Sequence, residues 1–395
     1  MTYCNVILKP KKEESLLRFH PWIFSGAILS IEGEPQEGDV VEVYTADRRF
    51  LATGHYQIGS IAIRILSFSQ IPVDDAFWVE RLLAAYTLRR STGLAGRAIS
   101  DTYRLVHGEG DNLPGLVIDI YAGTAVMQAH SVGMHHARHQ IADALKTVMG
   151  EAIRHIYYKS ETTLPYKANT GNEDGYLFGG GSDEDMAMEN GLRFYVDWQK
   201  GQKTGFFVDQ RDNRSLLERY AANRSVLNMF CYTGGFSFYA MRGGATVVHS
   251  VDSSSKAIHM TKKNVELNFP GDPRHEAYAE DAFRYLEKTG NRYDLIILDP
   301  PAFAKHKNVL RNALQGYRKL NAAALAKIQP GGLLFTFSCS QVVSKEHFRL
   351  AVFSAAAQTG RHVRILHQLT QPADHPVNIY HPEGEYLKGL VLYVE

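Results

Sequence analysis

From about residue 191 onward, apolar runs of strand length alternate with amphipathic segments of helical length, joined by short turns. The predicted strands are 225–230, 246–251, 276–279, 294–298 and 333–337, with edge strands at 363–369 and 389–394. The predicted helices are 236–242, 254–268, 281–288, 309–328 and 345–358, with Ser253 and Ser344 as N-caps. This alternation predicts a doubly wound α/β sheet with a ligand crevice at the carboxyl ends of its strands.

The chain before this region divides into two further parts. Residues 1–73 contain strand-like runs at 5–9, 22–29, 40–44 and 60–67 with turn signals, which predict a small β-rich domain. In residues 74–190, helical patterns at 77–90 and 135–149 and strand-like runs at 103–107, 116–121, 124–128 and 153–159 predict a central α+β domain. It closes with an acidic, glycine-rich linker over 171–189. Residues 191–395 form the predicted Rossmann-like domain.

The composition excludes several classes of protein. A hydrophobic share of 45% with 22% charged residues is typical of globular chains and argues against disorder. Three widely spaced cysteines cannot form a disulfide framework or a four-cysteine zinc cluster, so we expect a reducing cytoplasm and no metal. The N-terminus lacks the pattern of a signal peptide. The charge-free runs 225–241 and 328–344 are too short and glycine-rich for membrane spans.

Two successive predicted strands end in residues suited to a ligand. The first runs into a turn with Gly234 and Gly235, which allows close backbone approach, and the next ends at Asp252. A carboxylate at that position accepts both ribose hydroxyls of a nucleoside in dinucleotide-binding folds. The alternatives are a purely structural turn and a helix cap. Glu280 and Asp281 follow the third strand, where they either meet an adenine or cap a helix.

The next two strand ends suggest reactive chemistry. The fourth strand opens into Asp299, Pro300 and Pro301, a rigid turn suited to holding a planar base edge, with Phe303 as a stacking face. The fifth ends at Cys339, a candidate nucleophile, although cysteine is also a common core residue. We expect Cys231 and Cys4 to be structural.

These motifs, in this order, resemble a class I S-adenosylmethionine-dependent methyltransferase. Residues 228–237 are similar to its first cofactor motif, with Asn228 in place of an acidic residue and Tyr232 in place of a glycine. Asp252 and Asp281 match the acidic positions for ribose and adenine. The resemblance implies the following cofactor-binding residues: Asn228, Phe230, Tyr232, Thr233, Gly234, Gly235, Asp252, Asp281 and Asp299.

Further motifs narrow the resemblance. Residues 203–211 (KTGFFVDQR), 299–303 (DPPAF), 338–340 (SCS), 373–376 (ADHP) and 386–388 (YLK) are similar to the bacterial 23S rRNA 5-methylcytosine methyltransferases. Residues 108–115 resemble the central-domain signature of that family, and residues 20–24 with 38–41 resemble its N-terminal PUA domain, which binds RNA. The similarity covers nearly the whole chain.

The resemblance implies a covalent mechanism in which Cys339 adds to C6 of cytosine and Asp299 hydrogen-bonds the N3/N4 edge of the base. It implies 23S rRNA, naked or in a partly assembled subunit, as the partner, and leaves a homodimer open. The substrate-binding residues expected near this turn are Pro300, Pro301, Phe303, Lys305, Gln210 and Arg211. A surface helix start is the alternative for Gln210 and Arg211.

Three other functions stay open on the sequence alone. The same fold serves guanine N7 and exocyclic-amine methylation of RNA, which need no cysteine. A nicotinamide dehydrogenase is disfavoured because the first turn lacks a full G-x-G-x-x-G pattern. A non-catalytic RNA-binding assembly factor would have no use for Cys339.

The distribution of charge bears on the RNA partner. The whole chain has a net charge of +1, but residues 191–395 carry 26 basic and 18 acidic residues, whereas residues 74–190 carry 10 and 16. No acidic residue lies between Asp299 and Glu346, a stretch that includes seven lysines and arginines. A basic surface beside the two reactive turns suits a phosphate backbone, and a solvated helix face is the alternative.

Overall fold

The computed structural model describes residues 3–165, 174–181, 185–290, 293–304 and 306–395. The chain divides into two compact units. The first contains residues 1–191, 196–208 and 373–384, and the second contains residues 192–195, 209–372 and 385–395. None of the helices in the described ranges is long and apolar enough to cross a membrane. The predicted domain boundaries at residues 73 and 190 stay predictions.

The N-terminal part of the first unit is a six-stranded sheet. Its strands, in the order β2-β6-β5-β4-β1-β3, enclose an apolar core that includes Val6, Val43 and Ile63. The strands are β1 (Cys4–Leu8), β2 (Trp22–Phe24), β3 (Ile28–Glu32), β4 (Val40–Tyr44), β5 (Phe50–Tyr56) and β6 (Ile61–Ser67), with the short helix α1 (Glu14–Leu17). The expected small β-rich domain is confirmed. β5 was not predicted, because its apolar side chains do not alternate with polar ones.

A second sheet of five strands, in the order β11-β10-β9-β8-β7, follows in the same unit. Helix α2 begins after Asp74, whose side chain accepts a hydrogen bond from the N–H of Phe77. The helices are α2 (Asp75–Ser91), α3 (Val132–His136) and α4 (Arg138–Met149). The strands are β7 (Thr102–His107), β8 (Leu116–Tyr121), β9 (Thr124–Ala129), β10 (His155–Tyr158) and β11 (Gly175–Phe178). The next strand, β12 (Asp185–Glu189), is also in this unit, whereas β13 (Leu192–Val196) belongs mostly to the second unit.

Two sequence predictions for this part were wrong. The single helix expected at 135–149 is two helices, because the chain bends at Ala137 between α3 and α4. The expected linker over 171–189 contains strands β11 and β12, and the rest of it lies partly outside the described residues. Its acidic and glycine-rich composition hid both strands, since such residues rarely occupy strands.

The second unit contains a seven-stranded sheet in the order β16-β15-β14-β17-β18-β20-β19. β14 to β18 pair in parallel, and β20 and β19 add antiparallel edge strands. The strands are β14 (Ser225–Met229), β15 (Val247–Asp252), β16 (His275–Ala279), β17 (Tyr293–Leu298), β18 (Ile328–Ser338), β19 (Val363–Leu369) and β20 (Lys388–Val394). The helices are α5 (Arg211–Tyr220), α6 (Gly235–Arg242), α7 (Ser255–Asn268), α8 (Ala282–Lys288), α9 (Leu310–Lys327) and α10 (Lys345–Thr359).

This arrangement confirms the Rossmann-like α/β class. The central strands are apolar because helices cover both faces of the sheet, and their side chains form a core with residues such as Leu227, Ile296 and Tyr317. Because the five central strands are parallel, their carboxyl ends meet at one edge. The turns that follow β14, β15, β17 and β18 therefore lie at that edge.

Candidate active site

The turn after β14 has an unusual backbone. Phe230, Tyr232 and Gly234 have φ angles of 58°, 48° and 88°, all in the left-handed region. A Cβ on Gly234 would lie 2.8 Å from atoms of Phe238 and Thr261, so this position requires glycine. Tyr232 adopts a backbone angle that glycine accepts more easily, which explains in physical terms why a glycine is usual there. We call residues 230–235 the first turn.

Asp252, at the end of β15, fixes the first turn. One carboxylate oxygen accepts a hydrogen bond from the N–H of Tyr232 at 3.0 Å, and the other accepts one from the N–H of Ser254 at 2.9 Å. The N-cap of α7 is Ser254, whose hydroxyl accepts from Ala257, and the prediction of Ser253 as the cap was wrong. Each Asp252 oxygen retains a second lone pair, so this structural contact leaves acceptors for a diol.

Two buried polar oxygens at the first turn have no hydrogen-bond partner among the described residues. The side chain of Asn228 is buried, and its amide donates to Ser237 Oγ at 2.9 Å. Its Oδ1 and the Oγ1 of Thr233 are buried and make no hydrogen bond within the described part of the chain. Buried polar atoms are nearly always paired, so two such atoms at one turn fit a site that holds a polar ligand. The predicted S-adenosylmethionine carries an amino group that suits these acceptors.

Asp281 is the N-cap of helix α8. Its carboxylate accepts from the N–H of Arg284 at 3.1 Å and caps α8, and the neighbouring Glu280 pairs with Lys288. This is the helix-cap alternative named for this position. A cap uses one lone pair of the exposed carboxylate, and the contact of Asp281 with adenine stays a prediction.

The turn after β17, residues 299–303, begins with a carboxyl group whose pKa is raised, and we call it the Asp299 turn. Asp299 accepts a hydrogen bond from Gln210 Nε2 at 3.1 Å, and Gln210 Oε1 accepts one from Asn213 Nδ2 at 2.6 Å. Desolvation and the nearby charge of Asp209 raise the pKa of Asp299 to about 7. Arg214 acts in the opposite direction. At neutral pH this carboxyl is therefore available in both protonation states.

The remaining predicted substrate residues occupy different environments. Pro300 is buried and Pro301 is exposed, whereas Phe303 packs on the core with its ring centroid 4.6 Å from that of Tyr317. Gln210 and Arg211 are buried at the start of α5, so the surface-helix alternative is wrong for both. Lys305 lies outside the described residues.

Cys339 lies beside the Asp299 turn. Its Sγ is 4.0 Å from the carbonyl oxygen of Pro300, and the side chain is partly exposed. Burial and the charges of Asp299 and Asp209 raise the pKa of the thiol to about 12. Ser340 anchors the same turn, because its hydroxyl donates to the carbonyl of Ala304 at 2.5 Å. The structure thus brings together the predicted nucleophile and the predicted base-binding turn.

Sequence reasoning missed two residues of this region. Lys388 is buried at the start of β20, and its ammonium group donates to the carbonyls of Ser340 and Val343, both at 2.6 Å. Burial lowers the pKa of Lys388 to about 8, and the charge of Cys339 acts in the opposite direction. Asp209 accepts from the hydroxyl of Tyr386 at 2.7 Å. Both residues lie inside motifs quoted above, but nothing in those motifs indicates which members face the cysteine.

Known proteins resemble this chain over its full length. Residues 163–380 match the family model of S-adenosylmethionine-dependent methyltransferases, and residues 6–68 match that of PUA-like domains. The protein named ribosomal RNA large subunit methyltransferase I from Aeromonas hydrophila is 40% identical, over 98% of both chains. The protein of the same name from Enterobacter sp. strain 638 is 38% identical, over 99% of both chains.

Solved structures share the fold. A protein assigned as a SAM-dependent methyltransferase from Streptococcus mutans matches with a TM-score of 0.84 at 23% identity, covering 100% of both chains. A methyltransferase structure complexed with SAH matches with the same TM-score at 24% identity and the same coverage. The family model gives S-adenosylmethionine as the cofactor, and the two buried oxygens of Asn228 and Thr233 at the first turn fit its amino group. The chain belongs to the S-adenosylmethionine-dependent methyltransferases, within the family named ribosomal RNA large subunit methyltransferase I.

Proposed function

We propose that this protein methylates C5 of a cytosine in 23S rRNA and that Cys339 forms a transient covalent bond to C6 of that base. The observation that carries the proposal is the position of Cys339 Sγ, 4.0 Å from the carbonyl of Pro300 in the turn that Asp299 opens. The names of the relatives support ribosomal RNA of the large subunit as the substrate.

A nucleophile is needed because C5 of cytosine is itself a weak nucleophile. The Cys339 thiolate adds to C6, the C5–C6 double bond opens, and electron density moves to C5 while N3 takes up a proton. When bound, S-adenosylmethionine supplies an electrophilic methyl group, which C5 takes up as the bond from that methyl carbon to the cofactor sulfur breaks and S-adenosylhomocysteine is left. Loss of the C5 proton to water then re-forms the C5–C6 double bond and breaks the bond between Sγ and C6, which releases the Cys339 thiolate. N3 returns its proton to Asp299.

Asp299 is suited to supply the proton to N3. A carboxyl group with a pKa of about 7 retains its proton in a large fraction of molecules at neutral pH, so it can donate to the base. Gln210 holds the carboxylate at 3.1 Å, and Asn213 in turn holds Gln210. This chain of hydrogen bonds fixes the orientation of Asp299 before the base arrives.

The Cys339 thiol and the Lys388 ammonium group each affect the pKa of the other. Burial and two carboxylates keep Cys339 protonated in the resting protein, which protects it from oxidation and other reactions. The ammonium group of Lys388 opposes those carboxylates and stabilises the thiolate when it forms. Lys388 also holds the turn through two carbonyl groups, so it positions the sulfur rather than reacting itself.

The surface near the two turns suits an RNA backbone. Arg311, Arg318 and Lys319 are exposed on α9, which follows the Asp299 turn in a stretch without acidic residues. Electrostatic contacts of this kind bind nucleic acid without regard to sequence. The PUA-like match at residues 6–68 supports a second RNA contact. We propose naked or partly assembled subunit RNA in the cytoplasm as the substrate.

The experiment that tests this function maps modified nucleosides in rRNA from a strain that lacks the protein. Mass spectrometry should show the loss of one 5-methylcytosine in 23S rRNA, and bisulfite sequencing should locate it. The wild-type protein should restore the modification, and Cys339→Ala should not. Loss of a methylated guanine or of an exocyclic N-methyl group would replace this assignment with another methylation, and no change in any nucleoside would refute it.

A further inference from the structure

A cluster of side chains that could bind a metal ion lies in the first unit, outside the candidate active site. It consists of His20, His381 and Glu383, whose ligand atoms all lie within 4.8 Å of one another. Glu383 Oε2 is 3.9 Å from His20 Nε2 and 3.7 Å from His381 Nε2. We call these three residues the histidine cluster.

Two distant parts of the chain form the histidine cluster. His20 precedes Pro21 and Trp22 at the start of β2, and His381 precedes Pro382 in a short helical turn that contains Glu383. Each histidine is therefore followed by a proline, which restricts the backbone of both residues. Restricted backbones reduce the ordering that a ligand would have to impose on these side chains.

The hydrogen bonding of His20 suits a metal ligand. Its Nδ1 lies 3.2 Å from both the carbonyl oxygen and the backbone nitrogen of Trp22, so it either donates to the carbonyl or accepts from the N–H. In the tautomer that donates to the carbonyl, Nε2 carries a lone pair, and Nε2 lies 3.9 Å from Glu383 Oε2. Histidines that bind metals usually donate their other ring N–H to a carbonyl or carboxylate in this way.

His381 supplies the independent observation. Its side chain is 3% exposed, and neither ring nitrogen makes a hydrogen bond within the described residues. Its ring packs against Trp22 with the centroids 4.3 Å apart. A buried imidazole nitrogen that has no hydrogen-bond partner among the described residues and lies beside a carboxylate is the environment expected at a cation site.

The surrounding charges favour a cation. Glu109 accepts a hydrogen bond from Trp22 Nε1 at 2.8 Å, and its charge acts on His381 together with that of Glu383. Two carboxylates near the imidazoles offset the charge of a doubly charged ion.

We propose that His20 Nε2, His381 Nε2 and the Glu383 carboxylate bind one divalent transition-metal ion, with zinc as the best match. Two imidazole nitrogens and one carboxylate are a common ligand set for zinc with a fourth position open to water. Bonds of about 2.1 Å in tetrahedral geometry place ligand atoms about 3.4 Å apart. Glu383 is half exposed, so its side chain has room to move with respect to both imidazoles.

The bound ion would join residues 373–384 to the N-terminal sheet within the first unit. That link unites residues more than 350 positions apart in the sequence. The proposal concerns stability of the first unit and does not rest on the methyltransferase chemistry, so each can fail without the other.

Cobalt titration of the full-length protein, stripped of metal with a chelator, tests the proposal. The wild-type protein should bind one equivalent of Co²⁺ and develop the visible absorption of a tetrahedral site, which Zn²⁺ then abolishes. His381→Gln and Glu383→Gln should each weaken binding at least about 10- to 100-fold, since loss of an outer partner alone has that effect. His139→Gln, which removes an exposed histidine from α4, serves as the matched control and should bind like the wild type.

Thermal melts separate loss of a ligand from loss of folding. Without metal, Glu383→Gln should melt with the wild type, because the side chain is half exposed. With Zn²⁺ present, the melting temperature should rise for the wild type and His139→Gln but not for Glu383→Gln or His381→Gln. Equal Co²⁺ affinity in all four proteins, or no tetrahedral spectrum in the wild type, would overturn the proposal.

Discussion

Two cysteines follow parallel strands of one sheet, yet they occupy opposite environments. Cys231 is buried in the first turn, where its sulfur lies 3.8 Å from Thr261 Oγ1 and burial raises its pKa far above the usual value. Cys339 is partly exposed, touches the carbonyl of Pro300 and lies in the field of Asp299, Asp209 and Lys388.

The two environments show that a position at the end of a strand does not by itself make a cysteine a nucleophile. Cys231 contacts groups that shape the first turn, and Asp252 is a charged group that raises its pKa. In the proposed function, Asp299 contacts the base and Lys388 stabilises the thiolate of Cys339. The proposal thus assigns cofactor binding to the first turn and chemistry to the turn at residues 338–340, the Cys339 turn.

The largest expected effect separates the two cysteines directly. Cys339→Ala should reduce methyl transfer to RNA by a factor on the order of 10³ or more while cofactor affinity stays unchanged, because it removes the nucleophile and no predicted cofactor contact. Cys231→Ala, the matched control, should retain transfer within about tenfold, since it changes packing alone. Radiolabelled methyl transfer and calorimetry measure the two quantities.

A covalent trapping experiment can identify which of the two cysteines bonds to the RNA base. RNA that carries 5-fluorocytosine should form a stable adduct with the wild-type protein, because fluorine cannot leave C5 as the proton does. Mass spectrometry should locate that adduct at Cys339. An adduct at Cys231, or full activity in Cys339→Ala, would contradict the assignment.

The second effect concerns Asp299, the carboxylate near Cys339. Asp299→Asn should lower single-turnover methyl transfer about 10²-fold, because the amide is a much weaker acid than the carboxyl group. It should speed alkylation of Cys339, because it removes a charge that raises the pKa of the thiol. Opposite changes in the two rates are the expected signature.

The pH profile gives a further test of Asp299. Below about pH 7 the wild-type rate should rise with pH as thiolate forms, and above pH 7 it should level off, because Asp299 loses its proton there. In Asp299→Asn the rise should continue past pH 7. A wild-type profile that keeps rising at the same slope would show that neutral Asp299 is not required.

The third effect tests the binding turn. Asp252→Ala should raise the dissociation constant for S-adenosylmethionine about 10- to 100-fold, because it removes charged hydrogen-bond acceptors beside the first turn. Asp281→Ser keeps a helix cap and removes the carboxylate, so it isolates any contact with adenine. Calorimetry on both variants measures the affinities, and an unchanged constant in Asp252→Ala would exclude its ribose contact.

The smallest expected effect concerns Lys388. Lys388→Met should slow alkylation of Cys339 several-fold at neutral pH, because the ammonium group lowers the pKa of the thiol. Since Lys388 itself loses its charge above about pH 8, the rates of the two proteins should converge there. Lys319→Met, on the exposed face of α9, is the control. Equal rates in all three proteins at pH 7 would remove the electrostatic role.

The sequence predicted the Rossmann-like fold because buried parallel strands are continuously apolar and their turns carry glycine, proline and acidic residues. The strand 116–121 and the edge strand 363–369 were predicted with their observed bounds. It failed at β5, whose pattern lacks alternation, and at α3 and α4, which lie close enough to be taken for one helix. Local patterns do not record such interruptions.

The family, the cofactor class and the order of the turns follow from motifs that are continuous along the chain. Which side chains meet depends on the tertiary structure: Lys388 contacts the Cys339 turn, Tyr386 contacts Asp209, and His20 lies beside His381. Contacts between residues far apart in sequence depend on how strands and turns pack, and no local periodicity encodes them. For that reason the roles of Lys388 and of the histidine cluster emerge only from the folded chain.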